Sequence, residues 1–140
     1  MLEEIVEFIN TNRVATVCCV ESGLPHCFNC LYAYLPELSA IVFKSSATTL
    51  HSAVMQQSVP VAGTIYYMDK TGFDTTGVQF YGKVTGKIES VKNATKTYYK
   101  RYPFALLMPG EICVVAFDKL KFSKTTNGIK RKHTWENPAG

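Results

Sequence analysis

Between Gly77 and Ile88 the chain alternates more cleanly than anywhere else: Val78, Phe80, Val84 and Ile88 fall on one face, and Gln79, Tyr81, Lys83, Thr85 and Lys87 on the other. A period of two with one apolar face marks a half-buried strand of an antiparallel sheet and argues against a helix here. Gly82 and Gly86 interrupt the apolar face. A missing side chain at such a position admits a bulge or a sharp bend. A long strand that turns a corner is what a small barrel needs, so residues 77–88 point to a mainly β fold closing on itself.

The other segments supply the remaining pieces. Leu2, Ile5, Val6 and Ile9 form a helical stripe, with Glu3, Glu4 and Glu7 opposite. Two runs, Arg13–Val20 and Pro25–Tyr34, flank the turn residues Glu21, Ser22 and Gly23 and predict a β-hairpin. Ala40–Phe43 predicts a third strand, stopping at Lys44, Ser45 and Ser46. Helical spacing of Leu50, Ala53 and Val54 predicts a helix over 48–57 with Ser45 or Ser46 as N-cap. Val59–Tyr67 reads as a mostly buried strand. Residues 91–102 return to helical spacing, with Val91, Ala94, Tyr98 and Tyr102 inward and Lys92, Lys96 and Lys100 outward, until Pro103 stops the helix. Ile112–Phe122 reads as a final strand or bent strand pair, followed by a turn at Thr125–Gly128 and a basic tail, IKRKHTW. About six strands with three helices between them describe a small antiparallel barrel decorated by helices, and residues 1–140 read as one domain.

Composition narrows the setting. With 46% hydrophobic and 19% charged residues the chain is globular and not disordered. No apolar run approaches the roughly 18 residues of a membrane span, and the acidic opening MLEEIVEF is unlike a signal peptide, so a cytoplasmic location is expected. Five cysteines, most of them within strand runs, argue against a disulfide framework. The net charge of +4 is uneven: three basic residues face six acidic ones in the first seventy, and twelve face five in the last seventy. The basic half could meet an anion, although solvated surface lysines account for most of it.

Few motifs announce chemistry. Cys27 and Cys30 spell CxxC in mid-strand, where alternation sends the sulfurs to opposite faces; they read as two small strand residues. His26, His51 and His133 have no metal-ligand spacing, and no metal is expected. The junction Phe43–His51 is different, because a strand ends there in hydroxyls and two potential cations, Lys44 and His51, at the start of a helix. Free N–H groups, the helix dipole and the hydroxyls of Ser45, Ser46, Thr48 and Thr49 suit a phosphate. An ordinary serine cap is the plain alternative.

Several short segments, in order, resemble the FMN-binding split-barrel superfamily of pyridoxamine 5'-phosphate oxidase, and within it the small YhbP-like branch. They are CFNCLYAY (27–34), VFKSSATTLHSAV (42–54), PVAGTI (60–65), GVQFYGKV (77–84), YKRYPFALL (99–107) and LKFSKTTNGIKRKHTW (120–135). The resemblance implies a six-stranded Greek-key split barrel that forms a homodimer with two FMN sites at the subunit interface. It implies that Ser45, Ser46, Thr49 and His51 hold the flavin phosphate, with His51 where relatives often carry Lys or Arg. Phe28, Asn29, Cys30 and Lys44 would lie beside the ring, and Gln79, Lys132 and Trp135 would come from the partner, Trp135 serving equally well as a cap on the barrel. The function implied is flavin-dependent oxidoreduction of a small molecule. Three alternatives stand beside it. One is a split barrel that binds haem or a deazaflavin, using His26, His51 or His133. Another is a basic barrel that binds nucleic acid through Lys92, Lys96, Lys100, Arg101, Lys130, Arg131 and Lys132. The last is a purely structural dimer with an empty pocket.

Overall fold

Helix α1 (Glu3–Thr11) buries Ile5 and Ile9 and leads into β1 (Val14–Glu21). β1 returns as β2 (Leu24–Leu35) through a two-residue turn at Ser22 and Gly23, both at positive φ, the backbone a tight right-twisted hairpin requires. This is a computed structural model, and it describes residues 1–45, 59–85 and 88–139. A 3₁₀ turn (Pro36–Leu38) precedes β3 (Ala40–Ser45), whose residues 40–43 are buried on both faces. β4 (Pro60–Met68), β5 (Thr75–Thr85), α2 (Ile88–Arg101), a second 3₁₀ turn (Pro103–Leu107), β6 (Glu111–Thr126) and β7 (Ile129–Glu136) complete the order.

The sheet runs β3-β2-β1-β4-β5-β6-β7, and a further pairing of β3 with β6 closes six of the strands into a barrel. The fourth strand returning beside the first, in the order β4-β1-β2-β3, is a Greek key. β6 serves two neighbours: its residues 111–116 pair with β3, and its residues 119–126 pair with β7. At the change of partner the register against β5 jumps from Tyr81–Lys119 to Gly82–Phe117, which leaves Asp118 as an extra residue. A Cβ on Gly82 would lie 2.3 Å from the Ala116 carbonyl oxygen, so the bend at this bulge depends on glycine.

The expected barrel is therefore present, with three revisions. Six strands close it, but the basic tail is a seventh strand, hydrogen-bonded to β6 after a turn at Asn127 and Gly128 with positive φ. The alternation of residues 77–88 stops at Thr85, and Ile88 already belongs to α2. β4 is not mostly buried. Val61, Gly63 and Ile65 face the core, while Tyr66, Tyr67 and Met68 are exposed, as one face of an antiparallel strand often is. The helix expected over 48–57 and the expectation for Gly86 lie outside the described residues.

Phe43, Phe80, Phe117, Ile41, Ile65, Leu120 and Val17 fill the centre, with Phe80 and Phe117 in tilted contact at 5.1 Å. Arg101, at the last turn of α2, donates to the carbonyls of Asn10, Asn12 and Tyr32 and lies over the rings of Tyr32 and Tyr102. The Tyr32 hydroxyl donates to the Ile9 carbonyl, and the Tyr102 hydroxyl to that of Tyr32, both at 2.6 Å. One guanidinium and two phenols thus tie both helices to β2 and satisfy carbonyls at the end of α1.

Candidate functional site

β2, the end of β3, α2 and the second 3₁₀ turn enclose a groove of about 330 Å³. Alternation on β2 turns Phe28 and Cys30 to the inner side, and the Phe28 ring meets that of Phe43 at 5.9 Å. Burial pushes the Cys30 thiol up to about 12, so it is neutral at physiological pH and packs as a small hydrophobe, not a nucleophile. Tyr98 enters from α2, its phenol pushed up to about 12 by burial. Phe104 and Met108 form the opposite wall.

The cation in the groove is anchored. Lys44 donates from Nζ to the carbonyls of Ala105 at 2.8 Å and Met108 at 2.6 Å, and its ammonium lies 5.1 Å from the centre of the Tyr99 ring. Two of its three donors are therefore used to tie β3 to the 3₁₀ wall. Ser45 ends the strand opposite Glu111. Just before Glu111, Gly110 sits at φ 132°, and a Cβ there would lie 3.0 Å from the Ser45 carbonyl oxygen. Glycine is thus needed where the groove meets the strand end.

Of the residues expected at the site, Phe28, Cys30, Lys44 and Ser45 come together here, and Asn29 borders the same groove. The Asn29 side chain, however, accepts a 2.7 Å hydrogen bond from the Thr16 hydroxyl on the outer face of the sheet. Strand pairing continues that position into a polar row, Asn29–Thr16–Thr64–Gln79–Lys121–Thr134. Gln79 is three strands from Asn29, roughly 14 Å at about 4.8 Å per strand, and lines a second groove of about 360 Å³ with Lys121 and Lys130. Lys132 pairs with Ser123, on the face that carries Gln79. Trp135 pairs with Leu120 and is partly buried against the core. The chain thus does not bring Gln79, Lys132 or Trp135 to its own first groove. Ser46, Thr49 and His51 lie outside the described residues.

Sequence reasoning missed the groove's second wall. Its signal was present in the apolar run PFALLM that begins at the helix-stopping Pro103, of which the core buries only Ala105 while Phe104, Leu106, Leu107 and Met108 stay exposed. The nucleic-acid reading also loses two of its cations. Arg101 is occupied by three carbonyls, and Arg131 donates to Glu4 at 2.7 Å. Among the described residues no group of three metal-ligating side chains occurs, and no helix is long and apolar enough to cross a membrane.

No family model matches the sequence. A FAD-binding protein from Mesorhizobium loti superposes with a TM-score of 0.70 at 12% identity, covering 90% of this chain and 96% of that one. A haem-binding protein from Mycobacterium smegmatis superposes with a TM-score of 0.73 at 12% identity, covering 97% of this chain but 59% of the other. At such identities these likenesses establish the split-barrel fold. Over 136 residues the chain is 29% identical to the UPF0306 protein YhbP of Salmonella arizonae, covering 96% of this chain and 92% of the relative. The chain folds as a split barrel and is similar to YhbP in sequence. The first groove draws on three of the segments that carry the resemblance, 27–34, 42–54 and 99–107; its described lining falls at residues 28–31, 44–45, 98, 104–105 and 108–109.

Proposed function

We propose that the YhbP-like barrel binds FMN in its first groove as a homodimer and acts as a flavin-dependent oxidoreductase on a small molecule in a reducing, cytoplasmic setting. One observation carries this reading: an aromatic and thiol-lined slot opens beside Lys44 and Ser45, where β3 ends and the hydroxyl-rich segment 46–51 begins. The slot suits a flat ring with apolar faces. Phe28, Tyr98, Phe104 and Met108 supply apolar surface, and Lys44 sets a positive charge at its edge. The volume is at the low end for small-molecule sites, which fits a ring closed over by a second subunit. Phe104, Leu106, Leu107 and Met108, next to the groove, are all more than half exposed, Leu107 at 92%. Such a cluster is the apolar edge a second copy would cover, and that copy would bring its outer β5–β7 face with Gln79 and Lys132.

When bound, the flavin supplies hydride or electron transfer at its N5. The chain's share is to orient the ring, exclude water with the aromatic wall and hold the phosphate. Of the histidines, neither His26 nor His133 of the same chain lines the groove.

The test is titration of the purified protein with FMN and riboflavin, followed by quenching of flavin fluorescence. FMN binds more tightly than riboflavin. Replacing Ser45 and His51 together by alanine weakens FMN about tenfold or more, since each charge-assisted bond contributes about 1.5–3 kcal/mol, and leaves riboflavin nearly unchanged. Leu107→Asp gives a monomer with weaker flavin binding. Failure to take up either flavin, a haem spectrum in the purified protein, or equal losses for both flavins overturns the reading.

A further inference from the structure

Cys18 and Cys27 stand directly opposite each other on β1 and β2, four residues on either side of the Ser22–Gly23 turn. The hydrogen bonding of this hairpin alternates, and its phase is fixed at both ends. Tyr32 donates its N–H to the Arg13 carbonyl, and Pro25, which has no N–H to give, faces Val20. Counting from either end makes Cys18–Cys27 a pair without backbone hydrogen bonds, where Cα atoms approach to about 4.5 Å and side chains lie closest. That spacing is within the range a disulfide spans. The two sulfurs are 2.7 Å apart, about 0.7 Å beyond a bonded pair. Cys27 is exposed and Cys18 half-buried, whereas Cys19 and Cys113 are buried and Cys30 faces the groove.

We propose that Cys18 and Cys27 form a reversible dithiol–disulfide site that a low-molecular-weight disulfide oxidises. The thiolate of Cys27, the more accessible sulfur, attacks a sulfur of the external disulfide and releases one small thiol, leaving a mixed disulfide on Cys27. The thiolate of Cys18 then attacks Cys27 Sγ and releases the second small thiol. The protein loses two protons and two electrons, and the external disulfide takes up both pairs. In the reduced pair the Cys18 thiol is pushed up to about 11, first by its hydrogen bond with Cys27 and then by burial. The oxidised pair joins the two strands of the hairpin across its outer face. This site is separate from the flavin reading and does not depend on it.

The experiment exposes the reduced, folded full-length chain to excess oxidised glutathione, removes the reagent, and counts thiols after denaturation. Free thiols fall from five to three, the intact mass drops by two hydrogens, and added dithiothreitol restores both. Cleavage after Glu21, with alkylation before and after reduction, separates Cys18 and Cys19 from Cys27 and Cys30 and maps the bond to Cys18 and Cys27. Cys18→Ala instead retains one glutathionyl group on Cys27. Five thiols remaining in the wild-type protein, a bond mapped to Cys19 or Cys30, or a bond joining two chains overturns the proposal. The wild-type mapping decides the question even where a variant fails to fold.

Discussion

Lys44 Nζ donates to the Ala105 carbonyl oxygen at 2.8 Å across 61 residues of chain, so the groove's cation also holds its far wall in place. Lys44→Met keeps much of the stem and removes both charged hydrogen bonds. The expected loss is about 2–3 kcal/mol, because hydrogen bonds to charged groups contribute about 1.5–3 kcal/mol each and water replaces part of them. Thermal unfolding measures it. If flavin sits beside this wall, its affinity falls in the same variant, and a stable variant with unchanged unfolding would show that the two carbonyls do not need the ammonium.

Gly82 and Gly23 separate two reasons for using glycine. A Cβ at position 82 meets the Ala116 carbonyl oxygen, a backbone atom that cannot swing aside, whereas a Cβ at position 23 meets nothing within 4 Å and bears only the strain of φ +78°. Gly82→Ala therefore costs about 3 kcal/mol or more, at the upper end of overpacking penalties. Gly23→Ala costs about 1–2 kcal/mol, the left-handed backbone penalty. Denaturant midpoints of the two variants give the ordering.

Much of this fold was legible because its signals are local. The bend at Gly82, the hairpin turn at Ser22–Gly23 and the stop at Pro103 each follow from what one residue's backbone allows. The seventh strand was not legible, since IKRKHTW carries three consecutive charges and no continuous apolar face; only its pairing with residues 119–126 of β6 makes it a strand. At the site, alternation placed Phe28 and Cys30 on one side, but Asn29 falls on the other, where it bonds Thr16. The Cys18–Cys27 pair was readable from its equal distance to the turn, but the CxxC spacing drew attention to Cys30. Tertiary acceptors such as the Ala105 carbonyl leave no mark in the sequence at all.

Arg101 is expected to tolerate no ordinary replacement. Its fork reaches three carbonyls on two elements while its plane lies over two tyrosine rings, which a lysine's single ammonium cannot reproduce. Arg101→Lys loses about 2 kcal/mol and Arg101→Met about 3 kcal/mol or more, as the carbonyls lose charged partners. Amide exchange in α1 speeds up in both variants, with α1 affected more than β5. Equal exchange across the two elements would assign the loss to global unfolding alone.

Glu4 links the acidic helix α1 to the basic half of the chain, accepting from Arg131 at 2.7 Å and from Lys124 at 3.4 Å. The Arg131 hydrogen bond, the largest cause, holds its carboxyl below the ordinary value against the opposing effect of burial, with Lys124 adding to the lowering. A carboxylate whose folded pKa is depressed binds protons more weakly in the folded state than in the unfolded one. Its contribution to stability is therefore present above the unfolded pKa and is lost as pH falls through the folded pKa. Partial exposure of all three side chains keeps that contribution below about 1 kcal/mol and makes it sensitive to salt. Glu4→Gln is thus slightly less stable than the wild type at pH 7 in low salt, and the difference vanishes on acidification below the carboxylate range or in concentrated salt. Paired urea titrations across pH measure it, and a difference that grows toward acid would reverse the assigned sign.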